Sequence, residues 1–209
     1  MLDVNGLDFA WPQGPAWRGW STQVQPGVTA LVGGDGVGKT SLLRLLAAEL
    51  RPTGGQLALN GTPAWGPDGQ PNPAYTAQVF WCDPASNALD ALTCHAYLAQ
   101  HAARHARWQA DVLVEHLGGF ALLPHLEKPL YALSMGMRRK LRWAAGFASG
   151  AALTLLDDPF AALDRASITH VLDTLAELAE LADHSHRAVV VAGYEPPPGV
   201  TLAGRLDLD

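Results

Sequence analysis

Gly33-Gly34-Asp35-Gly36-Val37-Gly38-Lys39-Thr40-Ser41 has the residue types of a loop that holds phosphate. Glycines let the chain turn so that successive backbone N–H groups aim inward, and the start of a following helix adds its positive dipole end. A lysine at position 39 reaches the β- and γ-phosphates of a nucleotide, and the Thr40 hydroxyl is a ligand for Mg²⁺. The spacing Gly33-x-x-x-x-Gly38-Lys39-Thr40 is the complete phosphate-loop pattern. It also stands in the context that gives the pattern meaning. The apolar run Val28 to Val32 precedes it, and a leucine stripe from Ser41 to Leu50, stopped by Pro52, follows it. A glycine-rich turn before an ordinary helix is the competing reading, and it leaves the lysine and hydroxyl without a reason.

A second place for chemistry is Ala152-Leu153-Thr154-Leu155-Leu156-Asp157-Asp158-Pro159. The apolar run reads as a strand buried on both faces, which brings two carboxylates to its carboxyl end. Asp157 there is placed to hold Mg²⁺ through water. Alone, the pair also reads, with less weight, as a helix N-cap before Pro159; an upstream phosphate loop favours the metal role further.

Positioning these groups requires an α/β chain. Leu2-Asp3-Val4 and Leu7-Asp8-Phe9 alternate like short strands, and Pro12 to Pro15 interrupts them. Residues 53–80 read as turns and short strands, and residues from about 88 to 150 as helices. A helix over Ser167 to Ala182, a buried strand at Val189 to Val191 and a weak strand at Leu202 to Leu208 complete the order. No internal repeat or low-complexity segment occurs.

Leu133-Ser134-Met135-Gly136-Met137 resembles the LSGGQ signature of the ABC ATPases, and Pro159-Phe160-Ala161-Ala162-Leu163-Asp164 is similar to that family's D-loop. Leu7-Asp8-Phe9-Ala10-Trp11-Pro12 resembles its aromatic A-loop. These motifs fall in the family's order over essentially the whole chain. The resemblance implies a P-loop NTPase fold: a RecA-like mixed-sheet core with an N-terminal antiparallel part, over 1–83 and 146–209, and a helical subdomain over about 84–145. It implies Mg²⁺ and ATP as cofactors, with Trp11 on the adenine ring. It implies a homodimer or heterodimer with a second ABC ATPase subunit, in which Ser134 and Gly136 face the γ-phosphate in trans from a helix beginning near Met137. It further implies an integral membrane transporter subunit as partner, and a cytoplasmic location on the inner face of that membrane. The shortness of the chain is similar to that of ATPase subunits of small exporters, such as the haem exporter of cytochrome c maturation.

Four positions depart from the family pattern. Asp158 stands where the family carries a catalytic glutamate, and its carboxylate is one C–C bond shorter. Tyr194 stands for the switch histidine and stays neutral near pH 7. Phe80-Trp81-Cys82-Asp83-Pro84 lacks the Q-loop glutamine; Asp83 is the oxygen donor left to ligate Mg²⁺, since a Cys82 thiol suits so hard a cation poorly. Met135 replaces a signature glycine, which limits backbone approach. Slow hydrolysis is the expectation, and a degenerate, non-hydrolytic ATP-binding half of a heterodimeric cassette pair is the alternative.

Composition narrows the field. With 14 basic and 20 acidic residues the net charge is −6, which disfavours nucleic acid as a partner. Arg138, Arg139, Lys140 and Arg142 therefore read as a solvated helix face. No run is long and apolar enough for a membrane span, the N-terminus lacks a secretory pattern, and two cysteines make no disulfide framework. His101/His105 and His184/His186 lack a third ligand, so solvated histidines are expected rather than a metal site. Trp65, Trp81, Trp108 and Trp143 are expected in core or interface. A DNA- or ribosome-acting ABC ATPase would carry a coiled-coil insertion or second cassette, and a small-molecule kinase would not carry Leu133 to Met137.

Overall fold

The computed structural model describes residues 1–10 and 16–208 of the 209-residue chain. Strand β1 (Leu2–Ala10) pairs antiparallel with β2 (Ala16–Val24) and with β4 (Gly54–Leu59), and joins what read as two short strands into one. The pairing register shifts between Val4 and Leu7, where Gly6 has φ +58°. Such a bulge resets the pleat, so Leu2 and Val4 before it and Leu7 and Phe9 after it all point into the core. Next come β3 (Gly27–Gly33), α1 (Lys39–Leu46), β4 (Gly54–Leu59), β5 (Thr62–Pro63), α2 (Pro73–Thr76) and β6 (Val79–Phe80). Helices α3 (Cys94–Arg104), α4 (Ala110–Gly119) and α5 (Met135–Ala148) follow, with short 3-10 turns at Leu123–His125 and Leu130–Ala132. The chain closes with β7 (Leu153–Asp157), α6 (Arg165–Glu180), α7 (Ala182–Ser185), β8 (Ala188–Gly193) and β9 (Leu202–Leu208).

The antiparallel strands form their own sheet in the order β2-β1-β4-β5, and the central sheet, β6-β7-β8-β3-β9, is parallel at every pairing. Both faces of the central sheet are covered, so its strands are apolar throughout. Alternation still decides which residue meets which layer. Ala188, Val190 and Ala192 of β8 pack with α1 and the antiparallel sheet, whereas Val189 and Val191 pack with the helices α3 to α6. Two hydrophobic clusters thus lie on either side of one sheet. α1 contributes Leu42, Leu43, Leu45 and Leu46 to the first.

Two helix starts move by two residues. α5 begins at Met135 rather than near Met137, because the Ser134 side chain accepts from the Met137 N–H at 3.2 Å and so caps the helix there. It runs unbroken to Ala148, across the expected lobe boundary at 145/146. α6 begins at Arg165, since Asp164 caps it through Ser167 N–H at 2.9 Å. The expectation of solvated histidines is corrected at His101 and His105, which are buried and packed on Phe80 and Tyr97; His116 is likewise buried, on Phe147. Burial disfavours the charged imidazole and pushes His101 and His116 down to about 4. His184 and His186 are exposed, as expected.

Candidate nucleotide site

The carboxyl ends of β3, β7 and β8 open onto one cavity of about 440 Å³. Ligands of open parallel sheets bind at this end of the strands. The loop from Gly33 wraps the cavity mouth and delivers the chain to α1, whose N-cap is Gly38 at φ +105°, a conformation a side chain would strain. Lys39 therefore opens the helix, and its ammonium donates to the carbonyls of Gly33 at 2.8 Å and Gly34 at 2.6 Å. Thr40 donates its hydroxyl to Asp157 Oδ2 at 2.7 Å, joining loop and strand end across 117 residues of sequence. Asp35, Gly36, Gly38 and Ser41 complete this side of the wall, and Val37 packs inward on the core.

Asp157 is 8% exposed, and burial pushes its carboxyl above the ordinary value against the opposing pull of the Thr40 hydroxyl. A buried carboxylate beside a hydroxyl is an all-oxygen donor pair, and the two fit the hard cation Mg²⁺, whose charge would offset the desolvation. Asp158 follows at φ +46°, with its backbone N–H donating to Ala192 O at 2.9 Å and its side chain exposed at the cavity wall. Tyr194, just past β8, is 57% exposed; its hydroxyl donates to Asp35 of the loop, which holds the phenol above its ordinary value. The Lys39 ammonium lies 5.0 Å from the centre of its ring.

Not every expected residue joins them. Asp83 turns aside: its Oδ1 accepts from Ala85 N–H at 2.8 Å and its Oδ2 lies 4.0 Å from Arg44 Nε. It lines a neighbouring cavity of about 450 Å³ with Trp81, Cys82, Leu89 and Tyr97, while Pro84 lines the phosphate cavity. Cys82 faces the Tyr97 hydroxyl at 3.0 Å, and burial pushes its thiol up to about 11. Trp11 lies outside the described residues. Ser134 and Met135 stand exposed at the start of α5, Met135 at 72%. Gly136 is required by a close approach, because a Cβ there would meet Ala162 O at 2.4 Å. Among the described residues, no cluster of three His, Cys, Asp or Glu could hold a metal.

The basic stretch of α5 is not the solvated face that its charge suggests. Arg138 pairs with Asp90 at 2.8 Å, Lys140 pairs with Asp164, Arg139 donates to Ala161 O, and Arg142 reaches Pro84 O and Ser86 O at 3.4 Å. Arg139 also lines the phosphate cavity, which the sequence reading missed. Helical periodicity held the signal: Gly136, Arg139, Lys140 and Trp143 fall on one face, against the loop that starts at Asp158.

Comparison with known proteins agrees with this geometry. The family described as "ABC transporter" matches residues 18–161. The cytochrome c biogenesis ATP-binding export protein CcmA of Pseudomonas savastanoi pv. phaseolicola is 35% identical over 179 residues, 82% of each chain. The Fe(3+) ions import ATP-binding protein FbpC 3 of Rhodococcus jostii is 32% identical over 98% of this chain and 58% of its own. Among solved structures, an ATP-binding subunit of an ABC transporter superposes with TM-score 0.79 at 21% identity, over 92% of this chain and 79% of that one. A dimeric ATP-binding cassette bound to ADP and Pi gives 0.72 at 16% identity, over 93% and 88%. The chain belongs to the ABC transporter family, as one of its ATP-binding subunits.

Proposed function

We propose that this subunit binds Mg-ATP in the cavity at the strand ends, closes head to tail on a second cassette, and passes that motion to an integral membrane subunit while hydrolysing slowly. The observation that carries the reading is the Thr40–Asp157 hydrogen bond beside Lys39, which puts a cation and an oxygen pair for Mg²⁺ on one cavity. Lys39 holds the β- and γ-phosphates, Thr40 and Asp157 hold the metal, and Trp11 takes the adenine. Ser134 and Gly136, at the positive end of α5, face the partner cassette's nucleotide. The membrane subunit docks at the neighbouring cavity, where apolar Trp81, Leu89 and Leu130 sit among Arg44, Arg104 and Arg142. The relatives' names include both export and import proteins, which supports transport and leaves its direction open.

A specific observation favours a second reading, a cassette that binds and closes without cleaving. The Tyr194 phenol is engaged with Asp35, and the short Asp158 is the cavity's candidate base. Single-turnover ATP hydrolysis, with and without a membrane subunit and a second cassette, separates the two. Slow cleavage that rises with partners fits the first; Mg-ATP binding with no cleavage under any combination fits the second. Failure to bind Mg-ATP would overturn both.

A further inference from the structure

We propose that Arg139 is a phosphate-directed cation of the nucleotide cavity, carried in cis by α5 to the terminal phosphoryl group of ATP. This rests on the Mg-ATP reading above. The positions lining the cavity include three acids, Asp35, Asp157 and Asp158, and two cations, Lys39 and Arg139. A polyanionic triphosphate, and still more the charge spread over a phosphoryl group in transfer, needs positive groups already in place. Lys39 is the loop's own. At the position where the family resemblance implies an imidazole, Tyr194 offers a neutral phenol already bonded to Asp35. Arg139 is the remaining cation on the wall.

Its placement is specific among its neighbours. Arg138 and Lys140 are tied to carboxylates away from the phosphate cavity, and Arg142 to the carbonyls of Pro84 and Ser86. Arg139 instead uses one N–H on the Ala161 carbonyl. A guanidinium has five N–H donors in a rigid fork, so one bond to a backbone carbonyl fixes its plane and leaves donors to meet phosphate oxygens. Gly136 and Trp143 hold the same helix face against the same loop, through the approach to Ala162 O and a 3.1 Å bond to Pro159 O. The competing role is a splint: Arg139 holding Ala161, and through it the loop that begins at Asp158, without touching nucleotide.

Arg139→Gln separates these roles, because it removes the charge: a phosphate-directed cation makes that loss fall on Mg-ATP and spare Mg-ADP, whereas a splint touching no nucleotide makes no such distinction. Affinities for Mg-ATP and Mg-ADP are measured on the full chain by titration calorimetry, with thermal melting alongside. Loss of a charge-assisted contact to the terminal phosphate should weaken Mg-ATP by about 10- to 100-fold. Mg-ADP, which lacks that phosphate, should bind as it does to the wild type. Arg139→Lys should recover part of the loss, and millimolar guanidinium should restore Mg-ATP binding to Arg139→Ala. Arg138→Ala, one residue away and paired with Asp90, should leave the ATP-to-ADP ratio unchanged. Equal losses for both nucleotides with a lowered melting temperature, or no loss for either, would overturn the proposal in favour of the splint. A wild type that binds neither nucleotide would overturn the Mg-ATP reading itself.

Discussion

Asp157 ends β7 with 8% of its surface exposed and accepts a 2.7 Å hydrogen bond from Thr40, whereas Asp158, one residue later, is exposed with φ +46°. The first belongs to the floor of the cavity. Its position follows from where a buried strand stops and where α1 starts, and the residues around it can hardly move without moving the sheet. The second belongs to the rim, with Tyr194 and Arg139, which hang on a loop and a helix face around that floor. The proposed Mg-ATP contacts of Lys39, Thr40 and Asp157 lie on the floor, and Asp158 and Tyr194, read from the sequence as departures from the family pattern, lie on the rim. Under the proposed function, a nucleotide is held by a part of the site that folding itself builds, while the rate is set by side chains that folding does not demand.

The largest effect should come from repairing the rim. Asp158→Glu with Tyr194→His should raise steady-state phosphate release, and a well-placed base is worth about 10²- to 10⁴-fold. The pair should gain more than either change alone, because both groups act on one water and one phosphate. A wild type that already turns over at ordinary rates of about 1–10³ s⁻¹ would erase the contrast between floor and rim. The next effect tests the floor. Lys39→Ala removes charge-assisted phosphate contacts worth about 1.5–3 kcal/mol. Titration with a fluorescent ATP analogue should show that weakening, and equal affinities would remove Lys39 from the site.

Most of the floor was legible in the sequence, because backbone and residue type speak there together. Gly33-x-x-x-x-Gly38-Lys39-Thr40 and the strand ending in Asp157 each demand one local structure, and the parallel sheet brings their ends together. The residues expected around the floor were legible as chemistry but not as place. That Asp83 carries oxygens is plain from its type; that it turns toward Arg44 depends on how residues 83–85 bend, with Ala85 N–H on its carboxylate. Charge misled on α5, where Arg138 to Arg142 meet acids and carbonyls brought from distant segments. Polarity misled on His101 and His105, because a neutral imidazole packs against Phe80 as a flat ring. The bulge in β1 was hidden for a simpler reason: one extra residue at Asn5-Gly6 looks like the end of a strand.

Stability sharpens the same contrast with smaller energies. Thr40→Val leaves the buried Asp157 carboxylate without its donor and should cost about 1–3 kcal/mol in chemical denaturation. Asp158→Asn, at an exposed side chain, should stay within about 0.5 kcal/mol of wild type. Equal costs for the two would mean that floor and rim are not distinct in the fold.

The smallest effect is a pH dependence that only the floor should show. Burial raises the Asp157 carboxyl above its ordinary value in the folded chain, so the folded state binds that proton more tightly than the unfolded state does. Its contribution to stability is then fully present below the unfolded value of 3.8 and is lost as pH rises through the folded value. Asp157→Asn keeps an oxygen to accept from Thr40 and carries no charge to desolvate. Relative to wild type, the variant should therefore gain stability as pH rises above 3.8, and level off once the folded carboxyl has ionised. Mg-ATP binding should fall in the same variant, since a metal-directed carboxylate has been neutralised. Urea midpoints for wild type and Asp157→Asn across that range make the comparison, with Asp158→Asn as the rim control. A stability difference that stays flat with pH, or one that Asp158→Asn reproduces, would show that the strand end holds its carboxylate no differently from the rim.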